Sequence, residues 1–319
     1  MKRGFACAML LLAAQAAWPA DATLPSGADI DFDVNGVGAD LTATRDSERF
    51  RSDRLRAGTL LTYESPYDYM GIAGGGTRYR QDGWSAERYT VGGVVKKIER
   101  ATGAGLHASA ALSSVGDHLR LVGEGTWNVR AGDRTGFELL GQRDFVETRA
   151  GLEAGTMTNF VAASVDHALT ERLTLIGLAG LQYFSDDNLR GHLRGRLIYS
   201  LLPEQGLSVQ LRARAYESSR AGGVLYFNPE TYERADIGLR LRRSIGDWRV
   251  LAAAGAGRER IDRSVENPTH YLEAGAERRF ANRVSLALNL TVTRSSDSNN
   301  ASGGTYSWRY FRAVLIVPF

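Results

Sequence analysis

From residue 190 onward the chain alternates. Leu193, Gly195, Leu197, Tyr199 and Leu201 occupy every second position, interleaved with His192, Arg194 and Arg196 and preceded in the same polar parity by Arg190. The next segment repeats the pattern, with Leu207, Val209, Leu211, Ala213 and Ala215 against Ser208, Gln210, Arg212 and Arg214. Ile237, Leu239 and Leu241 alternate with Asp236, Arg240 and Arg242, and Val284 to Val292 alternates with Ser285, Asn289, Thr291 and Thr293. A period of two over about ten residues predicts strands with two unlike faces. Alternation alone fits a soluble sandwich as well as a membrane barrel.

Strand length and the connections between strands separate those two. Counting back from the C-terminus, connections alternate between long (294–307, 260–270, 217–233) and short (280–283, 244–247, 202–206). The moderate connection 184–189 precedes a short one at 168–172, and turns near 130–134, 99–102 and 65–67 interleave with loops near 113–118, 80–85 and 46–54. This spacing predicts an all-β fold, a transmembrane antiparallel barrel of about sixteen strands. Strands of about ten residues suit a tilted crossing of the bilayer. In the last strand Phe311, Ala313, Leu315, Val317 and Phe319 share one face. A terminal aromatic on such a strand, here Phe319, resembles the signal by which outer-membrane barrels are recognised for insertion. Tyr183 and Tyr199 fall at opposite ends of their strands on the apolar face, where interfacial girdle residues belong. That assigns the Leu/Val/Ala face to lipid and the Arg face to the lumen.

The N-terminus predicts an address rather than structure. Lys2 and Arg3 precede an apolar run from Phe5 to Ala17, and Ala20-Asp21-Ala22 matches a cleavage site, so residues 1–22 are expected to be a signal peptide and 23–319 the barrel. The chain's one cysteine, Cys7, lies in that leader. A mature chain without thiols excludes disulfide scaffolds, cysteine nucleophiles and thiolate metal sites. The formal charge of +3 is too small to point to nucleic acid.

Catalytic chemistry is sparse. The sequence has no H-E-x-x-H, G-x-S-x-G or Walker motif, and its histidines (107, 118, 167, 192 and 270) are scattered. Gly74-Gly75-Gly76 falls inside a predicted strand, where it eases barrel curvature. No enzyme activity, metal or cofactor is expected. The polar face is more informative. Arg190, Arg194, Arg196, Arg212, Arg214, Arg240 and Arg242 line neighbouring strands, with Asp236, Glu273 and Glu277 on the same parity. Two readings stay open: ion-pair ladders that stiffen a wet wall, or a conduit. Guanidinium forks donate to hydroxyl, amide and carboxylate groups, and many weak, equivalent contacts bind a passing chain without trapping it.

Two loop segments carry a family resemblance. Tyr183-Phe184-Ser185-Asp186-Asp187-Asn188-Leu189-Arg190 resembles the Phe-Ser-Asp-Gly-Asn-x-Arg loop of exopolysaccharide export porins, the poly-N-acetylglucosamine and cellulose export porins. Tyr226-Phe227-Asn228-Pro229-Glu230 is similar to that family's Tyr-(Tyr/Phe)-Asn-Pro-Glu segment in the later loop. Upstream, Arg149 and Ala150 match the family's Thr-Pro-Leu-Arg-Ala in the same order. Asp187 stands where the family has Gly, the upstream proline is missing, and the family's usual tetratricopeptide region finds no place before the barrel. The resemblance implies a stand-alone sixteen-stranded barrel in the bacterial outer membrane that exports a polysaccharide and adds Arg149 to its path. Implied partners are outer-membrane lipid, the polysaccharide chain, a separate periplasmic repeat protein and an inner-membrane synthase, in the setting of a biofilm. A closed-lumen scaffold or receptor barrel is the alternative, and a barrel enzyme acting on lipid or polysaccharide the third.

Overall fold

The computed structural model describes residues 34–280, 282–296 and 305–319; the proposed leader lies outside them. Sixteen strands follow one another: β1 (Val34–Asp46), β2 (Arg51–Ser65), β3 (Asp68–Gln81), β4 (Trp84–Ile98), β5 (Gly105–Val115), β6 (His118–Ala131), β7 (Thr135–Phe145) and β8 (Met157–Ala168) form the first half. The second half is β9 (Leu173–Phe184), β10 (Leu189–Leu202), β11 (Leu207–Ser218), β12 (Thr231–Ile245), β13 (Trp248–Ile261), β14 (Asn267–Arg279), β15 (Ser285–Ser296) and β16 (Thr305–Pro318). Each pairs antiparallel with its neighbours in sequence, and β1 closes on β16 from Gly36 opposite Pro318 to Asp46 opposite Trp308. Closure leaves no sheet edge, the condition that hydrocarbon imposes on any spanning sheet. The start of β1 and the end of β16 thus lie on one side, with the Phe319 amide donating to the Asn35 carbonyl at 2.9 Å.

Side-chain parity follows the alternation. Leu193, Leu211, Ile237 and Leu239 are exposed on the outer face, while Gln210, Arg234 and Asp236 on the intervening positions are buried within the lumen wall. Tyr183 and Tyr199 both face outward, each paired to the opposite end of a neighbouring strand through Leu189 and Leu173. Alternation is interrupted near strand ends: in β10 a register shift between Ser200 and Leu202 leaves Leu201 and Leu202 both exposed, and in β2 a shift turns a tyrosine inward. A register shift in β2 between Leu60 and Thr62 lets Leu60 and Tyr63 share the lumenal face, where they pack with Ile316. A bulge adds one residue to one strand and so resets parity.

The loop pattern is less even than the sequence spacing suggests. At the end away from the termini, 47–50, 82–83 and 116–117 are as tight as the turns at the opposite end. Length concentrates in 146–156 and 219–230. The segment read as a long loop at 260–270 narrows to 262–266, because polar residues such as Arg260 and Asn267 stay in the strand ladder beyond the apolar band.

Gly75 belongs to the triplet in β3, at a point where the backbone of β2 approaches closely. A methyl group on its lumenal side would overlap the backbone of Leu55 and Arg56 on β2. Gly191 has open space around it. Gly75→Val is therefore expected to destabilise the barrel by about 1–3 kcal/mol through overpacking, whereas Gly191→Ala is neutral. Urea unfolding in detergent, followed by the heat-dependent gel shift of folded barrels, measures both; equal stability of the two variants contradicts the close approach at Gly75.

Candidate functional site

The lumen wall of β10–β12 is built from opposed cations. Arg194 on β10 sits opposite Arg214 on β11, which sits opposite Arg234 on β12. One step below, Arg196 opposes Arg212, which opposes Asp236. Like charges directly across a sheet are unfavourable, so acids from other strands enter. Arg212 forks onto both carboxylate oxygens of Glu273 on β14, at 2.5 and 2.9 Å, and lies over the Tyr271 ring. The Arg234 guanidinium is held by Asp236 at 2.6 Å, and Arg214 donates to the Tyr232 hydroxyl at 2.7 Å, which in turn donates to Glu259. Glu277 pairs with Arg249 at 3.5 Å. Arg240, between Ser208 and Ala253, and Arg242, opposite Leu251, continue the wall toward the chain termini. Across β10–β14, Arg190, Arg194, Arg196, Arg212, Arg214, Arg234, Arg240 and Arg242 outnumber Asp236, Glu259 and Glu273, and the Arg249–Glu277 pair cancels itself. The ladder is braced and still carries a net positive charge.

The neighbouring wall differs in kind. Leu140 on β7, Phe160 and Ala162 on β8 and Leu178 on β9 form a buried apolar cluster on the lumenal side. Phe160 meets His192 edge-on with ring centres 5.3 Å apart, His192 meets Tyr216 at 5.4 Å, and Tyr216 stacks on Tyr232 at 4.8 Å. An aromatic row with rings from β8, β10, β11 and β12 thus runs beside the arginines. On β16, Trp308 and Tyr310 stack at 5.5 Å on the lumenal parity.

At the mouth, the two loop motifs meet. Asn188 is fully buried; its amide donates to the Tyr226 hydroxyl at 3.1 Å and to Asn228 at 2.9 Å, and its oxygen accepts from the Arg220 backbone at 3.0 Å. Arg190, on the lumenal face of β10, donates to the Phe227 carbonyl and the Asn228 side chain, both at 3.0 Å, and lies over the rings of Phe184 and Tyr216. Tyr226 stacks on Phe184 with centroids 4.3 Å apart and donates to Asp186. Burial pushes the Tyr226 phenol up from its ordinary value, so it remains a donor. Pro229 is buried, and Phe227 meets Tyr232 edge-on. Asp187 takes φ +66°, the left-handed turn that glycine would serve, and accepts from Tyr183. Loop 219–230 therefore folds inward over the lumen.

The segment around Arg149 and Ala150, singled out in the sequence by resemblance alone, forms a second inward loop. Residues 146–156 contain a short helix, α1 (Arg149–Glu153), capped by the Thr148 hydroxyl accepting from the Gly151 amide at 2.9 Å. That hydroxyl also donates to the Leu225 carbonyl, joining the two loops. Glu147 anchors the near side: one carboxylate oxygen accepts from Arg54 at 2.8 Å, Tyr79 at 2.9 Å and Arg88 at 3.4 Å. Arg88, itself fully buried, also pairs with Asp144 at 2.7 Å. Arg149 is at the rim, paired with Glu153 and lying over Trp84, above the barrel wall. The same parity argument that placed the arginines of β10–β12 places Arg54 and Arg88; the helix has no periodic signal because it is one turn long. At the opposite end, the Tyr67 hydroxyl in the β2–β3 turn accepts from Arg249 of β13 at 3.3 Å and Lys96 lies over the Tyr67 ring. Both ends of the lumen are narrowed from inside.

Removing Gly222 to Asn228 is expected to raise single-channel conductance in a planar bilayer; an unchanged value would mean that the loop constricts nothing. Glu147→Ala leaves Arg54, Tyr79 and Arg88 short of an acceptor, a loss of about 1–3 kcal/mol. Amide hydrogen exchange is expected to quicken in 146–156 while β10–β12 stay protected, and equal protection would remove Glu147 as the anchor.

No family model and no curated protein matches the sequence. Solved structures do match the fold. A bacterial polysaccharide outer membrane secretin superposes with a TM-score of 0.67 at 14% identity, covering 91% of this chain and 100% of that one. OprD of Pseudomonas aeruginosa gives 0.45 at 11% identity over 92% of this chain and 96% of that one. CdiB from Acinetobacter baumannii gives 0.47 at 10% identity over 89% of this chain and 60% of that one. At these identities the likeness is one of fold: this chain is a closed sixteen-stranded antiparallel barrel similar in fold to an outer-membrane barrel.

Proposed function

We propose that this protein is an outer-membrane conduit through which an exopolysaccharide chain leaves the cell, with no chemistry of its own. The observation that carries the reading is the lumen wall of β10–β12, where guanidinium forks repeat along the strands beside an aromatic row. A sugar polymer offers hydroxyl, amide and carboxylate acceptors to such forks and apolar ring faces to aromatic side chains. Repetition matters more than strength, since a chain must be released at each step as readily as it is bound. The two loop motifs that resemble the poly-N-acetylglucosamine and cellulose export porins support the same class, and the superposition on a polysaccharide secretin supports the barrel that such export needs. The driving force then comes from an inner-membrane synthase, with a separate periplasmic repeat protein as the delivery partner.

A second reading has its own observation. The Thr148–Leu225 contact ties the two inward loops together, and Tyr67 reaches Arg249 at the other end. A lumen kept closed by such ties suits a scaffold or receptor barrel.

The arginine wall separates the two. With Arg194→Glu and Arg196→Glu together, the reversal potential in a salt gradient is expected to shift toward cations and polymer secretion by cells to fall, while the gel shift of the folded barrel is retained. A folded double variant with unchanged ion preference and unchanged secretion leaves the arginines as braces and favours the scaffold.

A further inference from the structure

The outer face of the barrel carries a second row of arginines, and it faces lipid rather than lumen. Arg309 on β16 is directly opposite Arg45 on β1, Arg45 is opposite Arg51 on β2, and Arg51 is opposite Arg80 on β3. All four are exposed, and all share the parity of the outward-facing Phe311, Leu41, Leu55 and Ile72 on their own strands. The row crosses three strand spacings, roughly 14 Å. Arg78, also exposed and outward, stands between Asp53 on β2 and Glu87 on β4, and Asp53 pairs with Arg80 at 3.1 Å.

Its height is as informative as its charge. The row lies at the end of the barrel away from the chain termini, one or two outward positions above the apolar band. In an outer-membrane barrel that is the headgroup level of the external leaflet. The patch is also one-sided. On the far wall the outward positions at the same rim mix signs, Glu217 and Glu233 with Arg143 and Arg260, and Arg260 pairs with Glu233. Four like charges in direct cross-strand opposition are unfavourable on their own. Anions bound between them would offset that repulsion, and a guanidinium fork matches phosphate in shape as well as charge.

We propose that this row is a binding site for the phosphate groups of an outer-leaflet glycolipid, with the acyl chains lying on the apolar band below. The site rests on the outer-membrane setting of the barrel and is independent of what the lumen carries, so a failed channel experiment leaves it standing.

Native mass spectrometry of the purified full-length protein in detergent, with thermal unfolding alongside, tests it. The probes are lipid A, lipid A stripped of phosphate, phosphatidylglycerol and inorganic phosphate. Lipid A is expected to remain bound and to raise Tm, and the variant Arg45→Gln, Arg51→Gln, Arg309→Gln to weaken retention at least tenfold. The corresponding Lys variant keeps the charge and is expected to retain most of the binding. Equal binding of dephosphorylated lipid A overturns the phosphate assignment. Equal binding of phosphatidylglycerol, or equal stabilisation by inorganic phosphate, overturns the glycolipid assignment. Undiminished retention by a folded Gln variant overturns the site. If that variant does not fold, the four probes on the wild-type protein decide the question by themselves.

Discussion

Hydrocarbon accepts no unpaired backbone group, and the structure follows from that demand. A spanning sheet must close, so β1 returns to β16, and closure gives every strand one face in lipid and one in the lumen. An arginine on the lipid face near the midplane costs about 2–4 kcal/mol. With so many arginines in the second half of the chain, their inward placement is decided before any question of function arises. What remains open to evolution is how the enclosed charge is used.

Two solutions coexist inside this barrel. Where acids are within reach, arginines are tied down: Arg212 by Glu273, Arg234 by Asp236, Arg312 by Asp40 at 2.8 Å. Where loops are within reach, the same side chains hold the mouth: Arg190 takes 219–230 and Arg54 with Arg88 takes 146–156. The wall and the lid are thus parts of one polar network. Moving a loop means exchanging its contacts to wall arginines for others, and a chain rich in hydroxyl and carboxylate acceptors offers such contacts.

Much of this was legible in the sequence, and the reasons are physical. Alternation over Leu193–Leu201 and Leu207–Ala215 fixes parity because the strand period is two, so the lumenal side of Arg190, Arg194, Arg196, Arg212 and Arg214 could be read directly. Asn188 and Tyr226 stood out only as short motifs far apart in the chain, and their hydrogen bond joins loops from different hairpins. The Glu147 anchor could not be read. Its partners Arg54, Tyr79 and Arg88 come from three other strands, and no local pattern brings them together. Tyr63 would be placed on lipid by strict alternation, and only the bulge in β2 turns it inward. The outward arginine row was hidden for a similar reason. Arg45, Arg51 and Arg80 meet through two consecutive hairpins whose register the sequence does not print, and Arg309 joins them only when the barrel closes β1 onto β16.

The central claim is that the lumen admits a sugar chain along its arginine wall. The most direct measurement is single-channel recording with defined oligosaccharides added on the side of the chain termini, using the protein lacking Gly222 to Asn228 so that the mouth is open. The account predicts resolved current blockades whose duration grows with oligomer length and shortens when Arg194 and Arg196 are replaced by Gln. A channel that passes ions freely, yet gives no blockade with neutral, acidic or N-acetylated oligomers of any length, would contradict it.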